Sequence, residues 1–506
     1  MEEQRALPKS IDYSDVLPQA VPAVAKRKKF YPVNGADFTC GTTREIRIPI
    51  HSSNGLMDCL QSYLEFEVFN DAAALSFAPD LGGGTSFFEE IRIEQGGRVL
   101  TKTNEFNRLH AAILSPCQDH FEAAGYQSIA SQNKCRNGVA ASGGGQIAVA
   151  VAGGNGDRYS QGQHQSQNRI PAGSAGRVSI PLPGGLFTQD KLIPLPLVSP
   201  ANPITLVMVM DTNVSNLGIF SGVAPNETDI RLSRISVNAQ IIEVGRDVIE
   251  QIRMTQEMMG GQLVISGQDF EHNQGALPAP ANVGVTGEQI IRVPFRKRSI
   301  KSIFFIGQSD TFANGGGAQA AATSYNLSYA GCMNLLDYQI KVGSVVYPPT
   351  PIRAFQAEPV AANGEFERGE ALMELSKALG SLGSTAPSGN LNTYTYGTAG
   401  NGVSGITNGD TGDGAGATLS PESLGTTSVC PFGLSLESFQ HTAQESGIDT
   451  QTMSLETNLI LNIGPGDPAA GVPITGHGLQ PKNVHTFILY DQHYYFNADG
   501  MITFSN

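Results

Sequence analysis

The segment Phe432–Ile463 reads FGLSLESFQHTAQESGIDTQTMSLETNLILNI, with two stretches in which apolar and polar residues alternate. A polar break that contains Gly447 separates the two stretches. Alternation with a period of two is typical of half-buried β-strands, and glycine supplies the backbone freedom that a turn needs. The segment therefore predicts two strands joined by a corner at the end of a β-sandwich.

An earlier segment has the same order of features. Ser179–Met210 reads SIPLPGGLFTQDKLIPLPLVSPANPITLVMVM, with an alternating stretch, a break rich in Pro and Gly, and an apolar strand. Each segment follows a strand hairpin (IRIEQGGRVL or YQIKVGSVVY), a short helical pattern and a long Gly-rich stretch. The sequence thus predicts two tandem copies of one β-rich unit.

Length and composition agree with two copies. The chain has 506 residues, of which 58 are Gly and 29 are Pro, and only 15% are charged. Single cores rarely grow beyond roughly 250–300 residues, so two domains are expected. Each copy is larger than an immunoglobulin-like sandwich of about 100 residues. We predict an all-β fold of two tandem eight-stranded jelly rolls, with short helices and long Gly-rich loops.

The predicted division of the chain has three parts. Residues 1–36 lack apolar periodicity and are predicted to form an extended N-terminal arm. The first jelly roll is expected over residues 37–252 and the second over residues 253–506, with the helical pattern RDVIEQIRMTQEMM at the boundary. Two Gly-rich excursions, around residues 138–176 and 383–427, are expected to be surface loops.

Charge and cysteine content exclude several classes of protein. With a formal net charge of −14, the chain lacks the excess of Lys and Arg that general binding to nucleic acid needs. The start of the chain has no signal-peptide pattern, and no run of about 18 apolar residues predicts a membrane span. The six cysteines are scattered without CxxC spacing, so buried thiols are expected rather than a disulfide framework: Cys40, Cys59, Cys117, Cys135, Cys332 and Cys430.

Motifs of common enzymes are missing from the sequence. GxSxG, HExxH and GxxxxGK[ST] do not occur, so we predict no enzyme, no catalytic residue and no cofactor. GGNGDRYSQG at Gly153 and NGDTGDGAG at Asn408 depart from calcium-binding patterns, which favours loops. His485, Asp491 and His493 are residue types that bind divalent metals, but ordinary strand positions are the favoured interpretation and no metal site is predicted.

The combination of SIPLPGGLFTQDKLIPLPL before an apolar strand, the tandem repeat and GLSLESFQHTAQESGIDTQTMSLETNLILNI resembles a known family. This family is the double jelly-roll major capsid proteins of double-stranded DNA viruses, in particular polinton-like viruses, virophages and large nucleocytoplasmic viruses. The resemblance covers most of residues 37–506. It implies a structural protein of the virion capsid, assembled inside the infected host cell. Homotrimers would form pseudo-hexagonal capsomers that tile an icosahedral shell.

The resemblance also implies partners. Neighbouring capsomers, penton proteins and minor capsid or cement proteins are expected, and no small-molecule substrate. The long loops would point outward and the N-terminal arm would lie on the inner side. There Lys26, Arg27, Lys28 and Lys29 would contact the genome, an inner membrane or an internal partner. A solubilising charge run is the alternative interpretation.

Two further interpretations stay open on the sequence alone. A second basic segment, RVPFRKRSIKSI, contains Arg296, Lys297, Arg298 and Lys301 and predicts a solvated turn at the base of the sheet. Pairing between capsomers, with acidic neighbours, is the alternative. The alternative function is a tandem β-sandwich that binds or cleaves carbohydrate. The absence of Trp and of a persuasive pair of carboxylates counts against it.

Overall fold

Strands make up more than half of the described residues in the computed structural model. The described residues are 23–75, 77–80, 82–117, 130, 170–189, 191–220, 225–277, 287–308, 327, 330, 335–354, 369–380, 430–438, 447–451, 456–463, 466–467, 472–473 and 483–505. The stretches at Gly153 and Asn408, and nearly all of the two Gly-rich excursions, lie outside these ranges.

The first half contains eleven of the described strands and two short helices. The strands are β1 (Ala23–Phe30), β2 (Asp37–Thr39), β3 (Glu45–Ile50), β4 (Gly55–Asn70), β5 (Phe77–Pro79), β6 (Phe88–Gln95), β7 (Arg98–Asn104), β8 (Ser174–Pro181), β9 (Ile204–Met210), β10 (Gly218–Phe220) and β11 (Ile230–Val244). The helices are α1 (Phe106–Arg108), continued by a π-helical turn over Leu109–Leu114 and a 3-10 turn over Ser115–Cys117, and α2 (Val214–Leu217). Further 3-10 turns cover Gly83–Phe87, Gly185–Phe187 and Leu195–Leu197.

Helix α3 (Arg246–Met258) connects this half to the second. The described strands of the second half are β12 (Gln262–Ala276), β13 (Gly287–Val293), β14 (Ile300–Gln308), β15 (Leu335–Val342), β16 (Val345–Arg353), β17 (Phe432–Ser435), β18 (Thr457–Ile463), β19 (Gly466–Asp467), β20 (Val472–Pro473), β21 (Asn483–Asn497) and β22 (Ile502–Ser505). Helix α4 (Gly369–Ala378) lies between β16 and β17.

Both halves have the same strand order. In the first half one sheet runs β1-β11-β4-β8, with β2 also on β11, and the other runs β3-β9-β6-β7. In the second half the equivalent sheets run β12-β21-β14-β17 and β13-β18-β15-β16. In each half an early strand lies antiparallel beside the last long one, which is the topology of a jelly roll. The predicted all-β fold of two tandem jelly rolls is confirmed.

Alternation in sequence decides which side chains form the first core. In β4, Leu64, Phe66 and Val68 are buried, whereas Glu65 and Glu67 between them lie on the outer face of the sheet. The Phe66 ring packs edge-on against Phe87, with 5.8 Å between the ring centroids. Burial of an aromatic side chain of this kind contributes roughly 2–3 kcal/mol. The outer face is thereby left to charged residues.

The corner predicted around Gly447 exists, but its physical reason differs from the predicted one. A Cβ on Gly447 would lie 2.4 Å from the backbone oxygen of Ile300, so glycine is required for close approach. Beside it, Ile448 and Ile300 exchange two backbone hydrogen bonds of 3.0 Å. The first half repeats this contact, since Ile193 and Met57 exchange two backbone hydrogen bonds of 2.9 Å. Backbone hydrogen bonds thus attach the first corner to β4 and the second corner to β14.

The two halves share a core and polar contacts. Ile265, Tyr494, Phe496 and Ile502 belong to the second half of the sequence but are buried in the first core. The buried Gln95 side chain donates to the backbone oxygen of Gly500 at 2.8 Å and accepts from the backbone N–H of Ile502 at 2.6 Å. The boundary near residue 252 falls within α3 and stays a prediction.

Tyr338 offers a test of packing in the second core. Its ring is fully buried against Phe305, with 5.1 Å between the ring centroids, and its hydroxyl donates to the Gly433 backbone oxygen at 2.9 Å. We expect Tyr338→Phe to lower the free energy of unfolding by about 1 kcal/mol, because the ring stays packed while one buried hydrogen bond is lost. Urea denaturation measures this change. Tyr31→Phe is the control, since Tyr31 is exposed.

Candidate functional site

The four basic residues predicted as arm contacts lie in a paired strand. Residues 23–30 form β1, which pairs with β11 from Ala23 opposite Val244 to Phe30 opposite Val237. Within the extended arm predicted for residues 1–36, residues 23–30 are thus extended but paired with a sheet, and the division of the chain stays a prediction. The physical reason is that β11 offers an unpaired sheet edge, and backbone hydrogen bonds to that edge hold an extended segment of any polarity. Residues 1–22 lie outside the described chain.

Strand alternation sends these side chains to two faces of β1. On the outer face of the sheet, Lys29 forms an ion pair of 3.3 Å with Glu65, and the guanidinium of Arg27 lies 3.8 Å from the same carboxylate. On the other face, Lys26 forms an ion pair with Glu243. Lys28, also on that face, donates to the His51 backbone oxygen at 3.1 Å.

Arg27 and Lys29 belong to a larger cluster, which we call the cation-rich face. It comprises Arg27, Lys29, Arg177 and Arg234 around Glu65 and Glu67, all on the outer side of the sheet β1-β11-β4-β8. Glu67 accepts from Arg177 at 3.0 Å and from Arg234 at 3.2 Å. Four cations thus share two carboxylates.

The Glu65 carboxylate is held in its charged form. Burial alone would raise the pKa of Glu65, but hydrogen bonds from Asn238 and Lys29 and the charge of Arg177 lower this pKa below its usual value. The Arg177 guanidinium has a raised pKa because it donates to Glu67 and lies beside Glu65. With four basic side chains around two acidic ones, the face carries a positive excess.

A β-bulge positions Arg234. The register between β11 and β4 shifts between Ser233 and Ser236, and Arg234 has a left-handed φ of 52°. Such a conformation costs about 1 kcal/mol or more for a residue other than glycine. Bulges re-aim side chains, and the Arg234 side chain is 71% exposed here.

The outer face of the other sheet in the first half has balanced charge. Arg92 contacts the carboxylates of Glu45, Glu90 and Glu94 at 2.6–2.8 Å. Arg44 pairs with Glu89 at 2.8 Å. Four cations there meet four carboxylates, so the positive excess is a property of the β1 side of the sandwich: Arg44, Arg47, Arg92 and Lys102 with Glu45, Glu89, Glu90 and Glu94.

The second basic segment differs from its prediction of a solvated turn. Arg296 and Arg298 are exposed as expected, but Lys297 is buried. The Lys297 ammonium pairs with Glu271 at 2.8 Å and lies 3.9 Å from the centroid of the Tyr490 ring. Lys301 lies within 3.4 Å of both Glu437 and Asp491. Both lysines thus form ion pairs with carboxylates distant in sequence, which the local sequence does not reveal.

The three residues considered for a metal lie on β21 but do not converge. His485 and Asp491 are six residues apart, which is about 20 Å along a strand. His485 contacts His272 at 3.0 Å, Asp491 accepts from Ser299 at 2.8 Å, and His493 contacts Ser266 at 2.8 Å. Within the described ranges, no three His, Cys, Asp or Glu side chains are placed to hold a metal ion.

A buried pair of histidines in the second half was not predicted from the sequence. His272 on β12 and His485 on β21 stack with 5.2 Å between their ring centroids, near Arg108 and Glu105 of the first half. Burial lowers the pKa of His272 to about 4 and lowers that of His485 well below its usual value. The neutral pair therefore belongs to the native state. Pairing between distant strands leaves no signal in the local sequence.

Helix α3 exposes apolar side chains at its C-terminal end. Met254, Met258 and Met259 are 60%, 87% and 62% exposed. None of the helices in the described part of the chain combines the length and apolar character that a bilayer span needs.

Comparison with solved structures identifies the class of fold. The crystal structure of PBCV-1 VP54 fitted into a reconstruction of the virophage Sputnik matches with a TM-score of 0.54 and 10% identity, over 98% of this chain and 99% of that one. A quasi-atomic model of the PBCV-1 virus capsid matches with a TM-score of 0.53 and 12% identity, over 98% and 99%. The structure of the Sputnik virophage matches with a TM-score of 0.52 and 10% identity, over 100% and 93%.

These matches cover both jelly rolls. The chain has the double jelly-roll fold found in these virus structures. No protein-family model matches the sequence, and no curated protein is found to be related to it.

Proposed function

We propose that this protein is the major capsid protein of an icosahedral virus and works by self-assembly. The observation that carries the proposal is the pair of jelly rolls with the same strand order in one chain, matched from end to end by structures from virus capsids. Three copies with two jelly rolls each make a block with six similar sides, which packs into a hexagonal lattice. The carbohydrate-binding alternative finds no support in these comparisons.

We further propose that the protein is not an enzyme. The buried ionisable groups serve the structure: Asp491 binds Ser299, and Lys297 binds Glu271. The work of the molecule would be burial of surface between copies, on the scale of well over about 1,000 Å² that stable oligomers need. Expected partners are neighbouring capsomers and penton, minor capsid or cement proteins of the virion.

Solution mass tests the proposal directly. Light scattering on the purified protein should give a particle of three times 53.5 kDa, and negative-stain images of the same peak should show a hexagonal outline. Burial of interfaces between copies makes an isolated subunit prone to aggregation. A stable, monodisperse monomer over the whole accessible concentration range would contradict the proposal.

Contact of β1 with the contents of the shell stays a prediction for Lys26 and Lys28. Their side chains lie on the face of β1 opposite the cation-rich face and are exposed. We expect particles of the Lys26→Ala/Lys28→Ala variant to carry less genome or lipid per capsid protein than wild type, because two positive charges that would face the interior of the shell are removed. Nucleic acid and phosphate assays on purified particles measure this. Equal contents would favour a solubilising role.

A further inference from the structure

We propose that the cation-rich face binds carboxylates of a second copy of this chain within the assembled shell. This inference rests on the proposed function, because it names a surface through which copies would meet. It goes further by assigning that contact to Arg27, Lys29, Arg177 and Arg234 and by giving its chemistry: guanidinium and ammonium donors on one copy, Asp and Glu side chains on the other.

The first argument is unsatisfied charge. Arg177 and Arg234 are 65% and 71% exposed and reach the same carboxylate, Glu67, which is only 12% exposed. Among the described residues, Arg234 donates only to Glu67. A guanidinium carries five N–H donors in a planar fork that fits a carboxylate. Most donors of Arg234 are thus available to an acceptor from outside.

The second argument concerns the kind of acceptor. Glu65 and Glu67 lie in the middle of the face, so a nucleic acid or an anionic bilayer would meet negative charges between the positive ones. Separate carboxylates on a protein surface fit such a pattern, because they can meet the cations in register. The chain itself has a formal net charge of −14, so every neighbouring copy presents an excess of carboxylates.

The third argument is that the backbone conformation brings these cations together on the surface. Arg234 occupies a left-handed conformation at the bulge in β11, which a glycine would adopt without strain. The arginine at this position places a long cationic side chain beside Arg177. Arg27 and Lys29 join them only because β1 pairs with β11, so docking of this strand completes the face.

The test compares two charge-reversed proteins. We expect Arg177→Glu/Arg234→Glu to weaken association between copies at least tenfold, and we expect Arg246→Glu/Arg253→Glu to leave it unchanged. The control reverses two arginines on α3, where Arg246 is 91% exposed and pairs only with Glu250 among the described residues. Sedimentation velocity over a range of concentrations and salt measures association. Wild-type association should weaken as salt rises, and that dependence should be reduced in the variant.

Folding and the alternative ligands need separate readouts. Far-UV circular dichroism and urea midpoints show whether each variant is folded, and Arg177→Gln/Arg234→Gln is the milder substitute if the reversed variant is not. Association of a folded variant at wild-type strength would overturn the inference while the proposed function stands. The inference would also be overturned if the variant associated as wild type does but lost binding to DNA or anionic vesicles. A wild-type protein that stays monomeric would overturn both.

Discussion

Replacement of Gly447 by alanine is expected to lower the free energy of unfolding by about 3 kcal/mol or more, at the upper end of what overpacking costs. The added Cβ would lie 2.4 Å from the Ile300 oxygen and 2.5 Å from its carbonyl carbon. Backbone atoms at the start of β14 cannot move aside without breaking the two hydrogen bonds of 3.0 Å between Ile300 and Ile448. Urea denaturation followed by tyrosine fluorescence measures the change.

Gly245→Ala is the matched control. No atom lies within 4 Å of a Cβ at Gly245, and its φ of −58° suits any residue. Since Gly245 precedes α3, alanine there should change stability by less than about 1 kcal/mol. Equal stability of the Gly447→Ala and Gly245→Ala proteins would mean that the corner does not constrain the second jelly roll.

Acid is expected to destabilise the folded protein through the buried histidine pair. The pKa of His272 is about 4 in the folded state because of burial, against 6.5 when exposed. Above pH 6.5 both states hold the neutral ring, so the depressed pKa has no effect on stability there. As the pH falls from 6.5 towards 4, the His272 ring binds a proton in the unfolded chain but stays neutral in the folded chain. This favours unfolding by about 2 to 3 kcal/mol near pH 4.5.

Asp269 has the opposite effect and must be separated from the histidines. Burial raises its pKa to about 6, so the folded state takes up a proton before the unfolded state does, and stability rises as the pH falls from 6 towards 3.8. We therefore compare wild type with His272→Gln, in which Asp269 is unchanged. The loss of stability between about pH 7.5 and 4.5 should be smaller in the variant by about 2 kcal/mol. Identical losses would show that His272 is not held neutral.

The sequence predicted those parts of the fold that depend on local pattern. The alternation in EIRIPI and LEFEVF gave β3 and much of β4, and Gly96 and Gly97, with φ of 56° and 80°, form the predicted turn between β6 and β7. The two corners were also predicted, because polar breaks between alternating stretches are visible in the chain. The predicted burial of Cys40 and Cys59 holds as well, and burial raises the pKa of both thiols to about 12.

Features that depend on pairs distant in sequence could not be predicted. AVAKRKKF has no apolar periodicity, and it is a strand only because β11, more than two hundred residues later, pairs with it. The same holds for the cation-rich face, where Glu67 meets Arg177 and Arg234 from two other strands. Of the four basic residues chosen from the sequence, Arg27 and Lys29 are part of this face. Arg177 and Arg234 are isolated arginines in the sequence and gave no signal.

The sharing of the first core by the last strands bears on how the chain folds during synthesis. Tyr494, Phe496 and Ile502 fill part of a core whose other members, apart from Ile265, lie before residue 242. While these strands are still inside the ribosome, apolar side chains in the first jelly roll remain open to water. We therefore expect this half to reach its native state only after translation has passed residue 502. Nascent chains would then not associate with finished copies before their own synthesis is complete.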